Sequence, residues 1–270
     1  MEASAGSWLG QRSGNEDRVY ADGPILALFD GIGGRAFGYA AASIALSEVV
    51  RQATVDRLTG RIDVASTLGA ADKAVRQVGA SLGVHIGTTA VVVLLEVLDG
   101  QLLAHVGWAG DSAAYLLRGN DVATLTDDHA DGPLIDGGLA AWLGSGDHLA
   151  PRNVTHQLRA DDTLILVSDG VAEVLDNSTI GWLTKSAPSA HAAVDVVLNA
   201  AASKGASDNC SVVVATVHDM VDVGRHRVLT ELRQLPNRDV PINVTGTSSV
   251  LPVAPGPRPL ERTVTGDSAE

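Results

Sequence analysis

Three aspartates stand where apolar segments meet loops. Asp30 closes ILALFD, Asp169 follows the apolar run of TLILVSD, and Asp208 comes just before the run that starts at Ser211. Glu16 and Asp17 add two carboxylates ahead of the apolar run beginning at Val19. An Asp beside Gly is commonly a turn former, and each of these alone reads that way. As a set they read differently, because rigid strand ends are where a site places groups that must converge. Converging carboxylates repel unless cations balance them. All-oxygen ligation suits hard ions such as Mg²⁺ or Mn²⁺, whereas zinc would favour His or Cys. Two such ions can share a bridging hydroxide at neutral pH and polarise a phosphoryl oxygen, a two-metal route to phosphate-ester hydrolysis. Arg12, five residues before Asp17, supplies a planar fork suited to phosphate oxygens, although alone it reads equally as a solvated surface arginine. The glycines of Asp30-Gly31-Ile32-Gly33-Gly34 permit close backbone approach, so a main-chain carbonyl could join the ligands. A nucleotide-type phosphate loop is the weaker reading, since neither GxGxxG nor GxxxxGK[ST] falls at a strand-to-helix junction.

The elements that must hold these residues alternate in blocks. Apolar and β-branched runs at Val19 to Phe29, Thr88 to Leu98, Leu102 to Trp108, Ala113 to Leu117, Val154 to Leu158, Thr163 to Val167 and Ser211 to Val217 predict strands. Asp99-Gly100 and Gly119-Asn120 are two-residue hairpin signals, and tight hairpins imply antiparallel pairing. Tyr39 to Leu58, Ile62 to Leu82 and Ala190 to Ser203 carry aliphatics at three- and four-residue spacing and predict helices. The pattern predicts an α+β domain in which helices cover a sheet or a sheet sandwich.

The chain has 270 residues and 45% hydrophobic content, enough for a sizeable core. A net charge of −13 argues against a broad nucleic-acid or anionic-membrane surface, so neither partner is expected. The single Cys210 excludes an internal disulfide, and no signal segment or membrane span is apparent, which together predict a soluble cytoplasmic protein. Six of the ten prolines lie from Pro236 onward, so residues 236–270 are expected to be a disordered tail. Val228, Leu229, Leu232 and Leu235 predict a short amphipathic helix over 221–235, leaving 1–220 as the catalytic domain.

Read in order, the motifs resemble the metal-dependent serine/threonine protein phosphatases of type 2C, the PPM family, and its bacterial members in particular. The resemblance rests on Arg12-Ser-Gly-Asn-Glu16-Asp17, Asp30-Gly-Ile-Gly-Gly, Gly87-Thr88-Thr89-Ala90, Gly110-Asp111-Ser112, Thr126-Asp127-Asp128-His129, Ser168-Asp169-Gly170 and Asp208-Asn209. It implies a central antiparallel β-sandwich flanked by helix pairs, a four-layer α/β/β/α fold. It also implies that Asp17, Asp30, Asp169 and Asp208, with the Gly31 carbonyl, hold two Mn²⁺ or Mg²⁺ ions, directly or through water. Asp111 matches the position that helps hold a third ion in bacterial members, and Glu16 would stand behind the ligands. Arg12 would take the substrate phosphate, and Arg12, Asp30 and Asp169 are the residues assigned to catalysis. The implied activity is hydrolysis of phosphoserine and phosphothreonine by direct attack of metal-bound hydroxide, on a phosphoprotein substrate and opposite a Ser/Thr kinase, by a monomer.

Two departures from the family pattern stand out. Many eukaryotic members carry a proposed general-acid His where this chain has Ile32, which cannot donate a proton. The stretch between His129 and Ala141-Trp142-Leu143-Gly144 is also shorter than the usual bacterial flap. Asp127, Asp128 and His129 are expected to be structural. Cys210, the rival nucleophile, opens an apolar run and lacks a following Arg, so a buried strand position is expected for it. The alternative functions are a small-molecule phosphomonoesterase using the same ions and an inactive regulatory module, though such a module normally lacks some of the carboxylates.

Overall fold

The computed structural model describes residues 1–34, 36–127, 141–146 and 149–218. The expected helix at 221–235, the tail at 236–270, Asp128, His129 and the shortened flap lie outside the described residues. In chain order the elements are β1 (Glu2–Trp8), β2 (Arg18–Asp22), β3 (Ile25–Phe29), β4 (Gly31–Ile32), α1 (Ala36–Thr59), α2 (Val64–Leu82), β5 (Gly87–Thr88) and β6 (Ala90–Leu98). They continue with β7 (Gln101–Ala109), β8 (Ala113–Arg118), β9 (Asp121–Thr124), β10 (Arg152–Leu158), β11 (Thr163–Val167), α3 (Asp169–Ala172), α4 (Asn177–Ser186), α5 (Ala190–Ser203) and β12 (Cys210–Thr216).

Two five-stranded antiparallel sheets result, ordered β1-β12-β11-β8-β9 and β10-β7-β6-β3-β2, with β4 and β5 forming a small ribbon. Side chains leave a strand to alternate faces, and the central strands bury both. Leu26 and Leu28 of β3 meet Leu164 and Leu166 of β11 and Val213 of β12 between the sheets. Ile25, Ala27 and Phe29 turn outward onto Ala42, Leu46 and Val49 of α1 and Leu68 and Val75 of α2. Ile165 and Val167 turn the other way onto Ile180 of α4 and Val194 and Val197 of α5. The layers are therefore α/β/β/α, the expected four-layer sandwich. Near-continuous apolar runs were the sequence sign of strands covered on both sides.

Local chemistry sets the boundaries. Asp99 and Gly100 both have positive φ, 51° and 75°, as a tight turn with right-handed strand twist requires, so β6 and β7 pair from Leu98 and Gln101 onward. Helix α2 starts where the Asp63 side chain accepts from Ser66 N at 3.0 Å and stops at Gly83, whose left-handed conformation accommodates no other residue as well. The apolar run Val19 to Phe29 is not one strand: a turn at Gly23-Pro24 folds it into the β2–β3 hairpin. Helix α1 begins at Ala36, before the expected Tyr39, whereas α5 has the expected limits.

Candidate metal centre

Strand register brings the acids together. Arg18 at the start of β2 pairs with Phe29 at the end of β3, which sets Asp17 beside Asp30. Val167 at the end of β11 pairs with both Val212 of β12 and Ala113 of β8, which brings Asp169, Asp208 and Asp111 to the same end of the other sheet. The two sheets are joined there by one short bond: Ser211 of β12 donates to Asp17 Oδ2 at 2.6 Å. Ser7 lies 2.8 Å from the same hydroxyl and accepts from Asn15 Nδ2 at 2.6 Å, so the loop before Asp17 is tied to β1 as well.

The charges respond to one another. Asp17 is wholly buried, and its carboxyl is pushed up from 3.8 to about 7. Burial is the main cause, opposed by the Ser211 bond and reinforced by repulsion from Asp169 and Asp208. Asp30 is held well above the carboxylate range by burial first, then by repulsion from Asp17 and Asp169, a hydrogen bond to Asp169 and repulsion from Asp111. Five of the carboxylates singled out in the sequence therefore act on one another. Among the described residues no three His, Cys, Asp or Glu side chains close onto a single ligating point. The acids are coupled through charge. Asp17 Oδ1 and Asp169 Oδ1 are buried with no hydrogen-bond partner. Such oxygens are costly unless a cation meets them, and an all-oxygen set of this kind fits a hard divalent ion.

The backbone at the site is as closely built as the side chains. A Cβ on Gly170 would lie 2.1 Å from the Asn209 carbonyl oxygen, so only glycine lets α3 approach the strand that follows Asp208. The Asp30 carbonyl accepts from Thr89 N and from Thr88 Oγ1, each at 2.8 Å, which pins Asp30 and leads into Gly31 in the β4–β5 ribbon. Arg12 is 60% exposed and forms an ion pair with Asp208, so its guanidinium stands at the rim of the acidic group, open to solvent.

Other residues at the site were not singled out from the sequence. Asn209 receives Glu16 N–H at 2.9 Å and donates to Leu9 O at 2.8 Å and Gly14 O at 3.1 Å, which holds both ends of the Arg12 loop. Its only sequence signal was its place after Asp208. Arg18 is buried, donates to the Asp17 carbonyl, reaches Ser43 Oγ at 3.0 Å and lies 3.5 Å from the centre of the Tyr39 ring. Asp127, which the sequence did single out, pairs with Arg152 and accepts from Trp108 Nε1 at 3.1 Å through its carbonyl. Cys210 is fully buried, and burial followed by repulsion from Asp17, Asp208 and Asp169 pushes its thiol up to about 12, which leaves no nucleophilic thiolate at neutral pH.

Fold and site together define the class: a four-layer α/β/β/α domain whose strand ends present carboxylates suited to divalent cations. Residues 6–131 match the family model described as protein phosphatase 2C. The chain is 30% identical over 236 residues to the serine/threonine protein phosphatase PstP of Mycobacterium tuberculosis, an alignment covering 77% of this chain and 43% of that protein. It is 26% identical over 248 residues to the protein phosphatase PhpP of Streptococcus pneumoniae, covering 81% of this chain and 98% of that one. The crystal structure of the PstP catalytic domain in complex with two manganese ions superposes with a TM-score of 0.68 at 27% identity, covering 80% of this chain and 98% of that domain. The chain is similar to the protein phosphatase 2C family in sequence over residues 6–131 and in fold over most of its length. It spans less than half the length of PstP, the part that corresponds to that protein's catalytic domain. No helix among the described residues is long and apolar enough to cross a membrane.

Proposed function

We propose that this chain removes phosphate from phosphoserine and phosphothreonine in proteins, opposite a Ser/Thr kinase, as a cytoplasmic monomer. The observation that carries the reading is the pair of buried, unpartnered oxygens, Asp17 Oδ1 and Asp169 Oδ1, within a group of acids that already raise the proton affinity of Asp30. Asp17, Asp30, Asp169 and Asp208 are the residues that would hold two Mn²⁺ or Mg²⁺ ions, with the Gly31 carbonyl, and Asp111 would serve a third. When bound, such ions supply a strong oxygen nucleophile at neutral pH and stabilise charge on the phosphoryl oxygens.

The chain's own residues do the rest. Arg12 offers a bidentate fork to the phosphate at the solvent-facing rim, and Asn209 holds the loop that carries it. Ser211 fixes the orientation of Asp17, and Thr88 and Thr89 fix that of the Asp30 backbone. Ile32 carries no transferable proton, so the leaving alkoxide takes its proton from water or from the substrate's own surroundings. The burial of Cys210 speaks against a phospho-cysteine route. The test is hydrolysis of a phosphothreonine peptide and of p-nitrophenyl phosphate with Mn²⁺, Mg²⁺ or EDTA. Activity is expected only with metal and is expected to be lost in Asp169→Asn. Full activity in EDTA, or in Asp169→Asn, overturns the reading, and turnover of small esters alone favours the phosphomonoesterase alternative.

A further inference from the structure

The position where many eukaryotic relatives carry His is neither vacant nor polar here. In the β4–β5 ribbon Ile32 pairs with Gly87. Residues directly opposed in an antiparallel pair project to the same face, a few ångströms apart. At Gly87 that face is already taken: a Cβ there would lie 2.4 Å from Cδ1 and 2.5 Å from Nε1 of Trp142. The indole therefore occupies the place of the missing Gly87 side chain, alongside Ile32.

Trp142 is held there by backbone. Its neighbour Leu143 is fully buried and exchanges hydrogen bonds with Thr88 in both directions, at 3.0 and 2.9 Å, while Gly144 N donates to Asp72 Oδ1 at 2.8 Å. Leu143 thus makes an isolated bridge to β5, which seats its neighbour Trp142 against Gly87. Ile32 and Trp142 both keep part of their surface in solvent. Through Thr88, whose hydroxyl donates to the Asp30 carbonyl, this patch is built onto the same backbone as the acidic group.

We infer that Ile32 and Trp142 form an apolar shelf that receives an aliphatic side chain of the substrate polypeptide, one or two residues from the phosphorylated one. The inference rests on the protein-phosphatase reading and adds a substrate class to it. Reach supports this occupant: two residues of extended chain span roughly 7 Å, on the substrate as on the enzyme, where Ile32 lies two residues from Asp30. A free phosphate or a small ester would leave the shelf uncovered.

The experiment compares kcat/KM for two phosphothreonine peptides, identical except for Leu or Ser at the positions flanking the phosphoresidue, using the full-length chain with Mn²⁺. The Leu peptide is expected to be preferred by about tenfold, the scale of one aliphatic group in an apolar site. Trp142→Ala and Ile32→Ala are expected to bring the ratio towards one, and Trp142→Phe to retain most of it. Equal wild-type values for the two peptides overturn the inference alone, as does a preference that persists in Ile32→Ala and Trp142→Ala. Should Trp142→Ala fail to fold, Ile32→Ala and Trp142→Phe decide the matter. Turnover of p-nitrophenyl phosphate with neither peptide cleaved overturns the protein-substrate reading and this inference with it.

Discussion

Replacing Asp17 by Asn should stabilise the metal-free protein at neutral pH, although it removes a residue expected to bind metal. Asp17 is buried beside Asp169 and Asp208, and its carboxyl titrates near 7 in the fold instead of 3.8. The folded state therefore binds a proton that the unfolded chain has already lost. Stability from this group is complete below the unfolded value, declines as pH rises and levels off above about 7. Each pH unit within that window is worth about 1.4 kcal/mol, so between pH 5 and pH 8 the wild type should lose on the order of 3 kcal/mol that Asp17→Asn does not. Asn keeps an oxygen for the Ser211 hydroxyl and places an amide where Asp17 Oδ1 meets its acidic neighbours. In EDTA at pH 8 the variant should melt roughly 5–10 °C above wild type, with a clearly smaller gain at pH 5. Adding Mn²⁺ should reverse the order, because wild type gains about 4.1 kcal/mol at one thousand times the dissociation constant, more than the variant's lead, and the variant gains less. Thermal and urea denaturation at the two pH values, with and without metal, measure all four states. A variant that is less stable than wild type in EDTA at pH 8, or a gain equal at both pH values, refutes the reasoning.

Three further outcomes follow from the same geometry. Arg12→Ala should lower kcat/KM for phosphate esters by roughly 10–100-fold, the range of a lost charge-assisted pair, while Mn²⁺ binding measured by calorimetry persists. Gly170→Ala should destabilise by about 1–3 kcal/mol in urea denaturation, because the new methyl meets the Asn209 carbonyl at 2.1 Å and backbone must give way on one side. Cys210 should resist iodoacetamide in the native protein at pH 8 and react once the chain is unfolded in urea, which mass spectrometry reads directly.

The site was legible where chemistry and local pattern coincided. Asp30 and Asp169 follow runs apolar enough to be strands buried on both faces, and such strands end rigidly, so their acids stood out as a set although each alone reads as a turn former. The fold was legible where hairpin chemistry was strong, as at Asp99-Gly100. Strand β1 escaped notice because EASAGSW offers small residues and no aliphatic alternation; its identity depends on pairing with β12, about 200 residues away. Helix α4 was missed for a similar reason, since only its Asp176 cap and the burial of Ile180, Gly181 and Thr184 distinguish it. The bond from Ser211 to Asp17 and the three bonds of Asn209 join residues some 190 to 200 apart, and no local pattern encodes such a distance. Trp142 carries no local signal for its place over Gly87, which depends on the bridge between Leu143 and Thr88.

Strand β12 lies between β1 and β11 in its sheet, although it is the last of the three to be synthesised. On the ribosome, residues 1–167 can emerge while β1 still lacks its partner in that sheet, and Asp17 waits for the hydroxyl of Ser211. Pairings between distant parts of a chain form late and slowly. A nascent chain therefore displays most of the acidic residues before it can organise them, and the candidate metal centre stays incomplete until β12 has been inserted.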